Sequence, residues 1–168
     1  MACAFFPSDQ GAVREKMETP PIFELRGVTK YFGNTCALHN IHLSIANGEF
    51  LTLLGPSGCG KTTILRLLSG FERVSKGEVL LNGVSVNDLP PEKRRVNTVF
   101  QNYALFPHMT VWDNVAFGLK MQRRPKDEIK QRVAEVLRRV HLDALADRIP
   151  RQLSGGQQQR VAIARAIV

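Results

Sequence analysis

The sequence predicts an α/β fold, and three observations carry the prediction. Residues 22–28 (IFELRGV) and 38–46 (LHNIHLSIA) alternate apolar and polar side chains as half-buried strands do. A short, nearly continuous apolar run at 49–54 (EFLTLL) leads into a glycine-rich loop and then a helix, as a strand buried on both faces would. Beyond residue 100 the apolar spacing turns helical.

In chain order, residues 1–21 have no basic start followed by an apolar run, so they do not form a secretory signal. They read as a loose leader before a domain at 22–168. The second strand ends at the turn signal Asn47-Gly48. After the run at 49–54 and the glycine-rich loop, a helix extends over 61–70, where Gly70 stops it. Residues 77–86 (GEVLLNGVSV) read as a hairpin around Asn82-Gly83. The polar link DLPPEKRR precedes a further strand at 96–100 (VNTVF). Thr110 caps a helix that runs to about residue 118. Pro125 opens another, with Ile129, Val133, Val136, Leu137 and Val140 on one face. Ser154 starts the last.

Composition narrows the class. A chain of 168 residues, 43% hydrophobic and 23% charged, is long enough for one domain with a sizeable core. No apolar run approaches the roughly 18 residues of a membrane span. Cys3, Cys36 and Cys59 are odd in number and unclustered, which fits a reducing compartment and neither a disulfide framework nor a zinc site. The net charge of +8 raises a nucleic-acid reading. Residues 120–151, with ten Lys/Arg against five Asp/Glu, supply much of that charge. It falls on the polar side of an amphipathic helix without interleaved aromatics, which reads as a solvated face.

The stretch Gly55-Pro56-Ser57-Gly58-Cys59-Gly60-Lys61-Thr62 fits G-x-x-x-x-G-K-[ST]. Glycines at 55, 58 and 60 let the backbone curl so that successive N–H groups point into one concavity that holds an anion. The helix that follows adds the positive end of its dipole, about half a charge. Lys61 reaches the β- and γ-phosphates of a nucleotide, the Thr62 hydroxyl ligates Mg²⁺, and Thr63 completes the binding stretch. Cys59 is a spacer whose thiol would make the site sensitive to alkylation. The guanine-reading motif Asn-Lys-x-Asp is not in the sequence, which counts against a GTPase.

LSGGQQQR, residues 153–160, resembles the signature motif of ABC-type ATPases, and the chain from about residue 22 to 168 is similar to that family. Within it, NGEFLTLLGPSGCGKTT and VNTVFQNYALFPHMTVWDNVAFGLKMQ look most like the polyamine importers of spermidine and putrescine. The resemblance implies an antiparallel β-subdomain, part of a P-loop core sheet and a helical subdomain carrying the signature. It gives Tyr31, which might otherwise only end a strand, the role of stacking on adenine. It gives Gln101, otherwise a solvated loop residue, contact with Mg²⁺ and the attacking water. His108 reads as a loop contact.

Ser154 to Gln157 also fits S-x-x-Q, a capping box. The box does not need Gly155 and Gly156 between its ends, and two glycines leave backbone N–H groups open to an anion. The resemblance supplies that anion: the γ-phosphate of ATP held on the P-loop of a second subunit. The expected cofactors are thus ATP and Mg²⁺. The expected partners are a second copy in a homodimer, two membrane-spanning permease subunits and, indirectly, a solute-binding protein, with no nucleic acid. The expected location is peripheral, on the cytoplasmic side of the cell membrane.

The same resemblance implies an Asp-Glu pair ending a further strand, and a switch histidine, neither of which is in these residues. The chain is therefore expected to be an N-terminal part of the ATPase, poorly soluble or partly unfolded and without turnover by itself. Two rival functions are a soluble ABC ATPase not coupled to transport and a non-catalytic nucleotide-binding module.

Overall fold

The computed structural model describes residues 20–168, so the leader expected at 1–21 lies, apart from Pro20 and Pro21, outside the described residues. The chain divides into two compact units, up to Val96 and from Asn97 onward.

A four-stranded antiparallel sheet organises the first unit, in the order β2-β1-β3-β4, with β1 Phe23–Phe32, β2 Thr35–Ile45, β3 Lys76–Leu81 and β4 Val84–Ser85. The alternation read at 22–28 and 38–46 is the pleat of β1 and β2, which pair from Phe23 with Ile45 to Phe32 with Thr35. The β3–β4 hairpin turns on Asn82 and Gly83, at φ 50 and 78. Two successive left-handed residues are what an Asn-Gly turn of this twist requires. Where β1 meets β3, Gly77 has φ 86, and a Cβ there would strike the Gly27 carbonyl oxygen. The close approach of two backbones accounts for that glycine.

Helix α1, Lys61–Ser69, covers one face of the sheet. Its Ile64, Leu67 and Leu68 join Leu25, Val28, Leu38, Val79 and Val86 in a buried core. Gly70 ends it at φ 84, its N–H donating to Leu67 O. Arg94, only 6% exposed, seals that end. Its guanidinium donates to Leu67 O and Leu68 O at 2.6 and 3.1 Å, to Val86 O at 2.6 Å and to Leu89 O at 2.9 Å. Burial lowers its pKa.

The second unit is helical: α2 Val111–Met121, α3 Lys126–Arg139 and α4 Gly155–Ile167. Their apolar stripes meet at Val111, Val115, Leu119, Val133, Leu137 and Val161, with Leu142 from the turn after α3 buried among them. The stripe expected on α3 is buried at Ile129, Val133, Val136 and Leu137, with Val140 packed at its edge.

Two expected strands are corrected. Residues 49–54 and 96–100 form no ladder. The expectation that 49–54 is buried on both faces fails as well, since Phe50 is 93% and Leu54 88% exposed. A strand buried in a parallel sheet needs neighbours on both sides to take up its N–H and C=O groups. No described strand pairs with either segment. An apolar run states a preference for burial, and pairing partners decide whether a strand forms.

Candidate functional site

The phosphate loop is built on backbone conformation. Gly58 and Gly60 have φ 82 and 92, both left-handed. Gly60 is the N-cap of α1, where no side chain caps, and the helical ladder begins with Ile64 N–H to Gly60 O at 2.9 Å. The N–H groups of Lys61, Thr62 and Thr63 therefore point out of the helix end unclaimed, as the first amides of any helix do without a cap. A Cβ on Gly60 would come within 2.6 Å of Leu38 Cδ2, and one on Gly55 within 2.8 Å of Cys59 Sγ. These glycines also let the loop lie close against its own neighbours.

Lys61 folds back across this loop. Its ammonium donates to Gly55 O and Pro56 O at 2.8 Å each and to Cys59 Sγ at 3.2 Å. That places a positive charge beside the outward amides. The same hydrogen bond lowers the Cys59 thiol below its ordinary pKa. Ser57 and Thr62 are exposed, so the Thr62 hydroxyl is open to a metal. Tyr31, near the end of β1 in the same unit, is 42% exposed, and its N–H donates to Ser75 Oγ at 3.0 Å.

The second unit holds Gln101 and Ser154. Gln101 is exposed in a turn. Two residues on, Tyr103 and Ala104 are left-handed, at φ 61 and 47. That conformation costs a non-glycine residue about 1–2 kcal/mol. Arg165 of α4 holds it by donating to Ala104 O at 2.8 Å and Tyr103 O at 3.2 Å. At the other end of α4, Ser154 and Gln157 form the expected capping box. Gln157 N–H donates to Ser154 Oγ at 3.3 Å, and Ser154 N–H to Gln157 Oε1 at 2.9 Å. A Cβ on Gly156 would meet nothing within 4 Å, and one on Gly155 only the Tyr103 hydroxyl at 3.9 Å. Neither glycine has a positive φ. The chain's own packing and conformation demand glycine at neither position.

Among the described residues, the four α-helix starts divide into two kinds. In α2, Thr110 caps Asp113 N–H, and the N–H groups of Val111 and Trp112 donate to Arg148 O and Ala146 O. Asp113 in the first turn of α2, and Asp127 with Glu128 in that of α3, answer the helix dipole with the protein's own carboxylates. The first turns of α1 and α4 carry no acidic residue. Apart from Gln157 N–H, which Ser154 caps, the leading amides of these two helices have no partner among the described residues. The N–H groups of Gly58 and of residues 60–63, with the open hydroxyl of Thr62, fit a magnesium-bound nucleotide phosphate, while Cys59 N–H is taken by Pro56 O at 3.4 Å.

Three side chains that organise these loops escaped sequence reading: Arg94, Arg165 and Asn114. Asn114 is fully buried, accepting from Phe106 N–H at 2.8 Å and donating to the carbonyls of Phe106, Met109 and Thr110. It fixes the loop at 106–110. A signal was available only for Asn114, a polar residue on the apolar stripe of its helix.

Residues 38–168 match the ABC transporter family. The chain is 76% identical over 147 residues to the spermidine/putrescine import ATP-binding protein PotA of Oleidesulfovibrio alaskensis, covering 88% of this chain and 39% of that protein. It is 72% identical over 151 residues to the PotA protein of Nitratidesulfovibrio vulgaris, covering 90% and 41%. The chain thus spans about two fifths of the length of these curated relatives. Two solved dimers of the ATP-binding cassette MJ0796, one of them bound to ADP and Pi, match with TM-scores of 0.77 and 0.78. They are 37% and 38% identical, over 86% of this chain and 68% of theirs. The motifs, the fold and these matches agree, and the chain belongs to the ABC transporter family.

Proposed function

We propose that this chain is the nucleotide-binding part of the ATPase subunit of an importer for small cationic solutes such as spermidine and putrescine. The observation that supports it is the pair of helix starts, at Lys61 and Gly155, with unclaimed amides and no carboxylate in the first turn. Residues 55–63 bind the phosphates: the amides grip their oxygens, the Lys61 ammonium moves from neutral carbonyl partners to phosphate charge, and Tyr31 stacks on adenine. Mg²⁺ neutralises charge on the β- and γ-phosphates when bound. Thr62 would hold it, and Gln101, by the resemblance to the family, would orient the attacking water. The start of α4, Ser154 to Gln157, offers its amides to the γ-phosphate on a second copy, so that two copies close around nucleotide. Part of the surface formed by residues 101–118, a loop and the first turns of α2, receives the membrane-spanning subunits from the cytoplasmic side. Among the described residues no helix is long and apolar enough to cross a membrane, which suits a peripheral subunit. The choice of solute rests on likeness to the PotA proteins.

The test is uptake. Full-length protein carrying this chain, assembled with its membrane subunits in vesicles and supplied with the solute-binding protein, should import labelled spermidine when ATP is on the ATPase side. Lys61→Ala should abolish that uptake, because each charge-assisted phosphate contact is worth about 1.5–3 kcal/mol. Import unaffected by Lys61→Ala would remove ATP from the mechanism. ATP-driven import of a different solute would leave the ATPase in place and correct the cargo.

A further inference from the structure

The last turn of α4 and the segment around Gln101 are joined by hydrogen bonds as well as by packing. Arg165 spends its guanidinium on the carbonyls of Ala104 and Tyr103. It also lies over the Phe106 ring, 5.5 Å from the centroid, and that ring packs tilted against Phe117 of α2, with centroids 4.5 Å apart. One residue further along, Ala166 O accepts from Asn97 Nδ2 at 2.6 Å, so the last turn of α4 holds the segment on both sides of Gln101. The segment so held contains two consecutive left-handed residues, neither of them glycine. No salt bridge to Arg165 is present among the described residues, and its charge is directed at backbone.

We propose that Arg165 is a positioning residue: it ties the helix that starts at Ser154 to the loop of Gln101, and so sets where the Gln101 side chain stands. The proposal rests on the reading of Gln101 as a residue of ATP turnover. A rigid α4 then moves both groups together, so any shift of Ser154 against a partner copy is felt at Gln101. The αL pair supplies the sharp turn, and the forked guanidinium supplies the hold. Lysine cannot reproduce a fork that reaches two carbonyls.

The experiment uses full-length protein carrying this chain, assembled with its membrane subunits. Steady-state ATPase and amide hydrogen exchange are read for Gln101→Ala, Arg165→Met, Arg165→Lys, the Gln101→Ala/Arg165→Met double variant and Arg165→Met/Ala104→Gly. Arg165→Met should lower kcat by about 10-fold with little change in KM for ATP, the pattern of a lost transition-state arrangement. Exchange should quicken at 101–106 and stay unchanged at 61–69. The double variant should be no slower than Gln101→Ala alone, since Arg165 acts through Gln101. Glycine at 104 adopts the left-handed turn without help, so it should restore part of the lost kcat. Arg165→Lys should resemble Arg165→Met, and it serves if the methionine variant does not fold. Additive losses in the double variant, or unchanged exchange at 101–106, would overturn the proposal. Gln101→Ala with wild-type turnover would instead overturn the reading of Gln101 on which it rests.

Discussion

Lys61 and Cys59 show how far one side chain's chemistry is set by its neighbour. The ammonium 3.2 Å from Cys59 Sγ stabilises the thiolate and lowers the thiol's pKa. Because the thiolate is the nucleophile, a lowered pKa means a larger reactive fraction at neutral pH. Iodoacetamide should therefore modify Cys59 faster at pH 7 than an ordinary exposed thiol, with the rate rising through a midpoint below the usual one. Lys61→Ala should move that midpoint up and slow the reaction at pH 7, and Mg-ATP should protect the wild type. Equal rates in the two proteins, followed by mass spectrometry of the Cys59 peptide, would show that the contact does not persist in solution. The phosphate loop was legible in the sequence because backbone geometry dictates its spelling. Gly58 and Gly60 stand at φ values that other residues avoid. Arg94 was illegible for the opposite reason: within DLPPEKRR an arginine reads as solvated charge, and only tertiary structure supplies the four carbonyls that it meets.

Elements with local rules were read correctly. The Asn82-Gly83 turn, the Gly70 stop, the Thr110 cap and the Ser154 capping box each depend on residues within a few positions. The runs at 49–54 and 96–100 depend on distant partners, and there the reading failed. Arg94 is the strongest such long-range tie, joining the end of α1 to the β3–β4 hairpin and its following turn. Arg94→Met removes a buried cation and leaves carbonyls of Leu67, Leu68 and Val86 without this donor. It should destabilise the full-length protein by about 2 kcal/mol or more, read by urea unfolding, since hydrogen bonds from a charged donor are worth about 1.5–3 kcal/mol each. Leu67 O and Val86 O keep backbone donors in Gly70 and Leu89. Arg94→Lys should recover little, because one ammonium cannot span carbonyls on a helix end and a hairpin. The start of α4 makes a prediction of the opposite sign. Gly156→Ala meets open space and gains helix propensity of roughly 0.5–1 kcal/mol, so it should leave stability equal or higher. It should nevertheless weaken nucleotide-dependent association of two copies, because the new methyl group stands among the amides offered to phosphate. A variant that is both stabilised and fully able to associate would show that this glycine serves no ligand.

At the scale of the whole molecule, the sequence-predicted site falls into two halves. Residues 55–63 and Tyr31 stand in the first unit, and Gln101 with Ser154 to Gln157 in the second. Each half has a helix start with no acidic residue in its first turn, uncapped in α1 and capped by Ser154 in α4, which suits phosphate. Two such starts are accounted for most simply if the start of α4 serves nucleotide held by another copy. Sedimentation of the full-length protein with Mg²⁺ and a slowly hydrolysed ATP analogue measures this most directly. Wild-type protein should shift from monomer to dimer on adding nucleotide. Ser154→Arg should bind nucleotide as the wild type does yet remain monomeric, and its mixture with Lys61→Ala should form at most one complete site per dimer. Ser154→Arg protein that dimerises with nucleotide as readily as the wild type would contradict a site shared between two copies.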